Sequence, residues 1–486
     1  MTQIKDIQPK EVWSIFEQML QIPRPSKHED KIQEWAENFG KSLGLETVKD
    51  DAGNVIIKKP ATPGMENRKG VILQGHLDMV PQKNSDKVHD FEKDPIEAFI
   101  DGDWVTANGT TLGADNGIGV SAALAVLASK SLKHGPLEVL LTATEETGMD
   151  GASGLKPGML DGEILINTDS EDEGELYVGC AGGEDANITF SYTEEEIPNG
   201  FIAMKLSVTG LKGGHSGIDI PLGRGNANKI FFRILNIAKE QGVRLAAIEG
   251  GNLRNAIPRE AFGVVIVEEA KAVDFAALVE EVADVIKSEL SFTEPNLDVA
   301  LETTELPAVV MDEETQSKLT AAIIACPNGV IRMSDSMEGL VETSTNLAIV
   351  KSDSETKTIS CGCLMRSSVD SAKEELATRI KAVFELAGAE VFFSGDYPGW
   401  KPNMDSPILK TMQRVYNEKY GKIPKIMAIH AGLECGILAG NYPHWDMISF
   451  GPTIRFPHSP DEKVNIETVQ KFWEFLVNIL ENVPVK

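Results

Sequence analysis

The sequence predicts an α/β protein: a discontinuous main domain with a mixed, mainly parallel sheet covered by helices, plus an inserted α+β domain. Three observations carry this. Strand-like and helix-like runs alternate through residues 1–200. The middle of the chain has a strand-helix-strand-strand-helix-strand rhythm, roughly doubled. Beyond residue 400 the first pattern returns. Alternation puts helices on both faces of a largely parallel sheet. The doubled rhythm is that of two ferredoxin-like units. Domains are expected at 1–200 with 397–486, and at 201–396.

In chain order, "SKHEDKIQEWAENFGKSLGL" offers Ser26 and Glu29 as a capping box. Ile32, Trp35, Phe39 and Leu43 then share a helical face. Strand-like runs follow at 54–57, 71–75, 137–143 and 163–167. The small-residue run "GIGVSAALAVLASKSL" is a helix between two of them. The middle begins with the strand-like "AMKLSVTG" (203–210). Helices near 226–240 and 273–290 and strands near 262–268 and 297–303 complete one set. A second set has helices at 312–326 and 371–387 and strands near 345–350, 357–365 and 389–394. "SGDYPGWKPN" (394–403) has the glycine and proline of a return linker. After it come a helix at 406–419, the strand "WDMISFG" and a terminal helix with Val469, Phe472, Trp473, Leu476 and Leu480 on one stripe.

Composition excludes several classes. A chain of 486 residues is long enough for two or three domains with large cores. No apolar run reaches the ~20 residues of a membrane span. "MTQIKDIQPKEVW" has no basic start and apolar core, so no signal peptide is expected. Five scattered cysteines fit a reducing cytoplasm. Cys361 and Cys363, alone of these, share a strand face. They lack further soft ligands nearby and read as small core residues. A net charge of −28 argues against nucleic acid and anionic membrane as partners.

"VILQGHLDMV" (71–80) places His76 and Asp78 two residues apart on one strand face. Buried charges need partners. A histidine satisfied in the core and a metal-bound histidine oriented by a carboxylate explain the pair equally well. Four further stretches bear on this. Asp115 sits in "TLGADNGIG", Glu145 and Glu146 end the apolar strand of "LEVLLTATEETGMDG", Asp169 ends that of "EILINTDSED", and His458 stands in "RFPHSPDE". All lie where strands stop, which is where α/β sheets bind ligands. Singly, each has a bland reading: an N-cap for Asp115, exposed loop carboxylates for the glutamates, a solvated acidic run for Asp169, a loop histidine for His458. Together, two histidines and four carboxylates make an N and O donor set suited to divalent cations.

"GHLDMVP", "GADNGIG", "TATEETGMDG", "FPHSPDE" and, in the insert, "GLKGGHSGIDI" resemble the motif set of the aminoacylase, carboxypeptidase G and peptidase V family of dizinc hydrolases. The likeness spans nearly the whole chain. "HAGLECG" and the large doubled insert resemble the aminoacyl-histidine dipeptidase subgroup, which hydrolyses unblocked dipeptides such as β-alanyl-histidine. The resemblance implies two divalent ions, Zn by default, with Mn or Co tolerated. His76 and Asp169 would hold one, Glu146 and His458 the other, with Asp115 bridging. Asp78 would orient His76 and Glu145 would be the general base, which requires the strand to end before Glu145. A cis peptide is implied between Asp115 and Asn116. His215 of "GGHSG" would be a lid histidine on the substrate carbonyl. Asn255, Arg366 and Gly432 would contact the substrate carboxylate, the first two from the insert and Gly432 from the catalytic domain. Alternation on the strand sets Arg366 opposite Cys361 and Cys363. His28, His89, His134 and His444 match no role, and His430 stays open. An N-acyl amino acid amidohydrolase and an inactive binding protein on this fold remain the alternatives. The doubled insert would allow a monomer, its second half standing in for a partner subunit, whereas the subgroup resemblance implies a homodimer.

Overall fold

In the computed structural model, which describes residues 3–486, "VILQGH" forms a strand, Val71–His76, with every residue buried. It lies inside an eight-stranded mixed sheet. The order is Glu46–Lys49, Val55–Lys59, Leu137–Thr142, Val71–His76, Ile164–Asn167, Asp446–Ser449, Glu175–Cys180, Lys425–Ile429. The third to sixth strands run parallel, with His76 beside Thr142 and Gln74 beside Asn167. The two strands before them are antiparallel. Parallel neighbours in this register finish at one edge of the sheet. Each of the strands at 71–76, 137–142 and 164–167 therefore delivers its following loop to the same place.

This sheet belongs to the first of two units, Met1–Gly179 with Pro402–Ala428 and Leu433–Lys486. Helix Ala114–Ala128 is buried along nearly its whole length, which its small residues allow. A Cβ at Gly119 would stand 2.4 Å from Thr168 Oγ1, so only glycine lets the helix this close. Helix Asp30–Ser42 turns a different face inward from the one expected. Ile32, Ala36 and Gly40 are buried, while Trp35 and Phe39 pair with each other at 5.6 Å. Small side chains at 36 and 40 admit the sheet, and the larger rings are displaced to the flank. A smaller four-stranded sheet has the order Ile454–Arg455, Lys463–Asn465, Trp104–Ala107, Ala98–Asp101. The hairpin between its first two strands carries His458 and Glu462.

The second unit is Cys180–Lys401 with Ile429–Gly432. Its main sheet contains two ferredoxin-like units edge to edge. The first is strand Phe201–Thr209, helix Ala227–Ile237, strands Arg244–Gly250 and Ala261–Glu268, helix Ala272–Glu289 and strand Asp298–Thr304. The other is Gly182–Ser191, helix Glu313–Ala325, Val341–Asp353, Thr358–Ser367, helix Asp370–Leu386 and Glu390–Tyr397. Arg244–Gly250 pairs with Val341–Asp353 and joins the halves. The duplication is nested: the first unit is inserted after the opening strand of the second. That corrects the boundary expected at 201. Gly182–Ser191 pairs with Thr358–Ser367 and Glu390–Tyr397, far along the chain, so nothing local marks its membership. All four helices contribute to one core, with Phe231, Phe275, Leu319 and Phe384. Cys361, Cys363 and Met365 face that core, as expected for the cysteines. Cys326 lies there too, its Sγ 3.8 Å from that of Cys363.

Gly263 tests how tightly helix and sheet meet in this unit. A Cβ there would come within 2.3 Å of Phe231 Cζ, on a ring that is fully buried. Gly263→Ala should cost about 1–3 kcal/mol, the usual penalty of overpacking. Urea unfolding measures it; an unchanged midpoint would mean that the ring relocates freely.

Candidate metal centre

The parallel strand ends assemble most of the cluster. His76 Nε2 lies 3.2 Å from Asp115 Oδ1 and 3.3 Å from Asp169 Oδ1. His458 Nε2 lies 3.2 Å from Asp115 Oδ2 and 3.0 Å from Glu146 Oε2. Asp115 thus offers one oxygen to each imidazole. Glu145 groups with His76 and Glu146. The condition on that pair is met: the strand ends at Thr142, and Thr144 takes a left-handed turn, φ 56°. The Asp115–Asn116 peptide is cis.

Electrostatics shows what the cluster lacks. Burial penalises the His76 cation, but Asp169, Asp115 and Asp78 still raise its pKa well above the ordinary value. Hydrogen bonds that His458 donates to the carboxylates of Asp115 and Glu146 push its pKa up to about 11. Burial lifts the Asp169 carboxyl to about 7 and Glu145 well above its usual range, with neighbouring carboxylates adding to both. Too many like charges are buried together for the two imidazoles to neutralise. Glu146 Oε1 and Asp169 Oδ1 are buried without a hydrogen-bond partner. Donors about 2.0–2.1 Å from one tetrahedral ion stand about 3.3 Å from each other, which these spacings match. A pair of divalent cations fits the residues present.

The surrounding contacts hold the loops. Asp78 lies 3.4 Å from His76 Nδ1. It also accepts the Glu145 and Glu146 N–H groups, at 3.0 and 3.2 Å, and the Ser26 hydroxyl at 2.7 Å. Burial opposes its ionisation, yet these partners hold its pKa at about 2. Ser26 and Glu29 therefore form no capping box. Ser26 serves Asp78, and Glu29 accepts the N–H and hydroxyl of Thr144. Both side chains are better used fixing the acidic turn than a helix end that water can satisfy.

Three buried residues escaped the sequence reading. Glu462 accepts the N–H groups of Leu112, Gly113, Ala114 and Asp115 at 2.8–3.2 Å, clasping the turn that presents Asp115. Arg24 donates to the carbonyls of Leu77, Asp78 and Gly113, tying that turn to the His76 loop. Glu434 accepts from Gln74 Nε2 at 2.6 Å and Thr142 Oγ1 at 2.7 Å, under the strand ends. Glu462 and Glu434 stand inside quoted motifs, "FPHSPDE" and "HAGLECG", where only a histidine and a glycine drew a role. Arg24 has no local signal.

The other expected residues gather in the second unit. His215 Nδ1 accepts two backbone N–H groups, from Gly217 at 3.1 Å and Ile218 at 3.0 Å. That fixes the neutral tautomer with its proton on Nε2. Burial and then Arg366 lower its pKa, which keeps it neutral. Arg366 is buried and donates to Ser216 Oγ at 3.4 Å and Tyr397 Oη at 3.1 Å. The Asn255 carbonyl accepts the Ser216 N–H at 2.8 Å. A Cβ on Gly432 would touch the Tyr397 ring. Gly432 therefore groups with the insert, against expectation, because 429–432 form a short excursion of the chain into this unit. His430, on the same excursion, shares a 2.7 Å hydrogen bond with Ser344, and burial drives its pKa down to about 3.

Known proteins share this architecture. The cytosol non-specific dipeptidase of Escherichia coli (strain K12) is 48% identical over the full length of both chains. The crystal structure of aminoacylhistidine dipeptidase from Vibrio alginolyticus is 52% identical, covers 100% of this chain and 99% of its own, and superposes with a TM-score of 0.96. Aminopeptidase PepT from Bacillus cereus ATCC 10987, 18% identical over 98% of this chain and 99% of its own, shares the fold with a TM-score of 0.57. Residues 72–482 match the family model Peptidase family M20/M25/M40, and the chain belongs to that family of metallopeptidases.

Proposed function

We propose that the chain is a dizinc dipeptidase of the cytoplasm that hydrolyses unblocked dipeptides, Xaa-His such as β-alanyl-histidine among them. The observation that carries this is Asp115, one carboxylate facing two separate imidazole and carboxylate sets. Two full-length relatives, a cytosol non-specific dipeptidase and an aminoacylhistidine dipeptidase, support the substrate class. The word cytosol in one of those names supports the compartment. An edge strand, Glu390–Tyr397, with Phe392 exposed supports a homodimer. In this reading 1–179, 402–428 and 433–486 are the catalytic domain, and the insert is its lid.

His76, Asp169, Asp115, Glu146 and His458 would hold the metals. Zinc suits this N and O donor set, and Mn or Co would be accepted by it. When bound, the two ions lower the pKa of a water and polarise the scissile carbonyl. Glu145 takes the proton of the attacking water and passes it to the leaving amine. Burial suits it to that task by raising its proton affinity. Asp78 keeps the His76 ring and the Glu145 turn in place through the contacts above. His215 donates a hydrogen bond from its Nε2–H to the oxyanion once the lid closes. Arg366 grips the substrate carboxylate beside Asn255 and Gly432.

Two measurements check the reading. The metal-loaded protein should hydrolyse β-alanyl-histidine and leave N-acetyl-histidine intact. The reverse preference would make it an N-acyl amino acid amidohydrolase, and inertness to both a binding protein. Glu145→Gln should retain two ions per chain and lose most turnover. Substantial activity at full metal content would remove Glu145 from the role of base.

A further inference from the structure

The second unit contains a pocket of about 630 Å³ whose lining includes Arg366 and Asn255, and whose remaining walls have no part in the reaction scheme. Its walls include Asp185, Asn187, Arg254, Leu364 and Tyr397. It opens on the sheet face opposite the helices. Ala186 and Ile188, and Cys361, Cys363 and Met365, point into the helix-covered core. The alternate residues, Asp185 and Asn187, and Leu364 and Arg366, therefore point the other way. In the antiparallel register Leu364 pairs with Asp185 and Arg366 with Gly183. Asp185 and Arg366 are diagonal neighbours on one face, about 7–8 Å apart at the backbone.

The Asp185 side chain is only 8% exposed. Oδ2 is paired with Arg254, whose side chain is 65% exposed, and Oδ1 has no hydrogen-bond partner. Both features are unusual for a structural ion pair. A buried carboxylate oxygen without a donor is costly, and a mostly solvated arginine is a weak, exchangeable partner. Burial pushes the Asp185 carboxyl up, while Arg254 and Arg366 pull it down.

The geometry points to a subsite here: the pocket receives the side chain of the substrate's C-terminal residue, and Asp185 selects side chains that bring an N–H donor or positive charge, those of lysine, arginine and histidine. This rests on the reading above, in which Arg366 holds the carboxylate of that residue. The carboxylate and the side chain leave the same Cα. With one fixed at Arg366, the other reaches the neighbouring position on the same face. A cationic head there displaces Arg254, which returns to solvent, and supplies the donor that Oδ1 lacks. An aliphatic side chain leaves the Asp185–Arg254 pair in place and gains nothing from it.

The test compares kcat/KM on Ala-Lys, Ala-His and Ala-Leu for the zinc-loaded full chain, Asp185→Asn and Arg254→Ala. Asp185→Asn should lower the Lys/Leu and His/Leu ratios at least about tenfold, the loss expected of a charge-assisted contact. Arg254→Ala should raise both ratios, since a competitor for the carboxylate is gone. Equal loss on all three substrates in Asp185→Asn would mean that Asp185 supports Arg366 or the sheet, and would overturn the subsite. Circular dichroism checks that this variant is folded. If it is not, Arg254→Ala, an exposed loop change, decides alone: unchanged ratios overturn the inference. Wild-type protein inert to all three dipeptides would overturn the dipeptidase reading itself, whereas activity with unshifted ratios overturns only the subsite.

Discussion

Everything in the first unit answers to one constraint, the burial of many carboxylates around two imidazoles. Asp115, Glu145, Glu146 and Asp169 converge where His76 and His458 offer at most two positive charges. Burial, with Asp115 and Glu434 adding to it and His76 opposing, lifts Asp169 to about 7, a carboxyl that would otherwise be ionised far lower. Such a cluster is expensive without cations. The fold meets the expense by gripping each loop separately. Glu462 clasps the Asp115 turn through four N–H groups. Asp78 clasps the Glu145–Glu146 turn through two. Arg24 joins the Asp115 turn to the His76 loop. Preformed ligands of this kind lower the ordering cost of binding.

Much of this was legible in the sequence because the relevant signals are local. Parallel strands read as apolar runs, and each run ended in a chemically loaded residue: His76, Glu145 and Glu146, Asp169. The parallel register then brings the three ends together with no further information. Asp115 and His458 also stood out just beyond strand-like runs, but only the family likeness assigned them to particular ions, because their placement depends on contacts far along the chain. Arg24 and Glu462 stayed invisible for a related reason. Their partners are backbone groups, and a backbone amide leaves no mark in a sequence. Ser26 and Glu29 misled because a capping box and an acidic-turn clamp use the same residue types.

The second unit shows the same division between local and remote signals. Four helices and most strands were readable from periodicity. The nesting was not, because Gly182–Ser191 finds its neighbours 167 to 214 positions later in the register with Thr358–Ser367 and Glu390–Tyr397. That strand also carries Asp185 and packs Gly183 against the Tyr397 ring. The excursion 429–432 brings His430 and Gly432 to the same unit. Arg366, Tyr397, Ser216 and the Asn255 backbone thus form one connected group, so the carboxylate contacts assigned to Arg366, Asn255 and Gly432 all belong to the insert.

The central claim is a two-metal centre bridged by Asp115. Anomalous X-ray diffraction on crystals of the zinc-loaded protein tests it directly. The account predicts two zinc peaks about 3.5–4 Å apart, one beside His76 and Asp169, the other beside Glu146 and His458, with an Asp115 oxygen on each. A single peak, or two with Asp115 bound to neither or to only one, would contradict it.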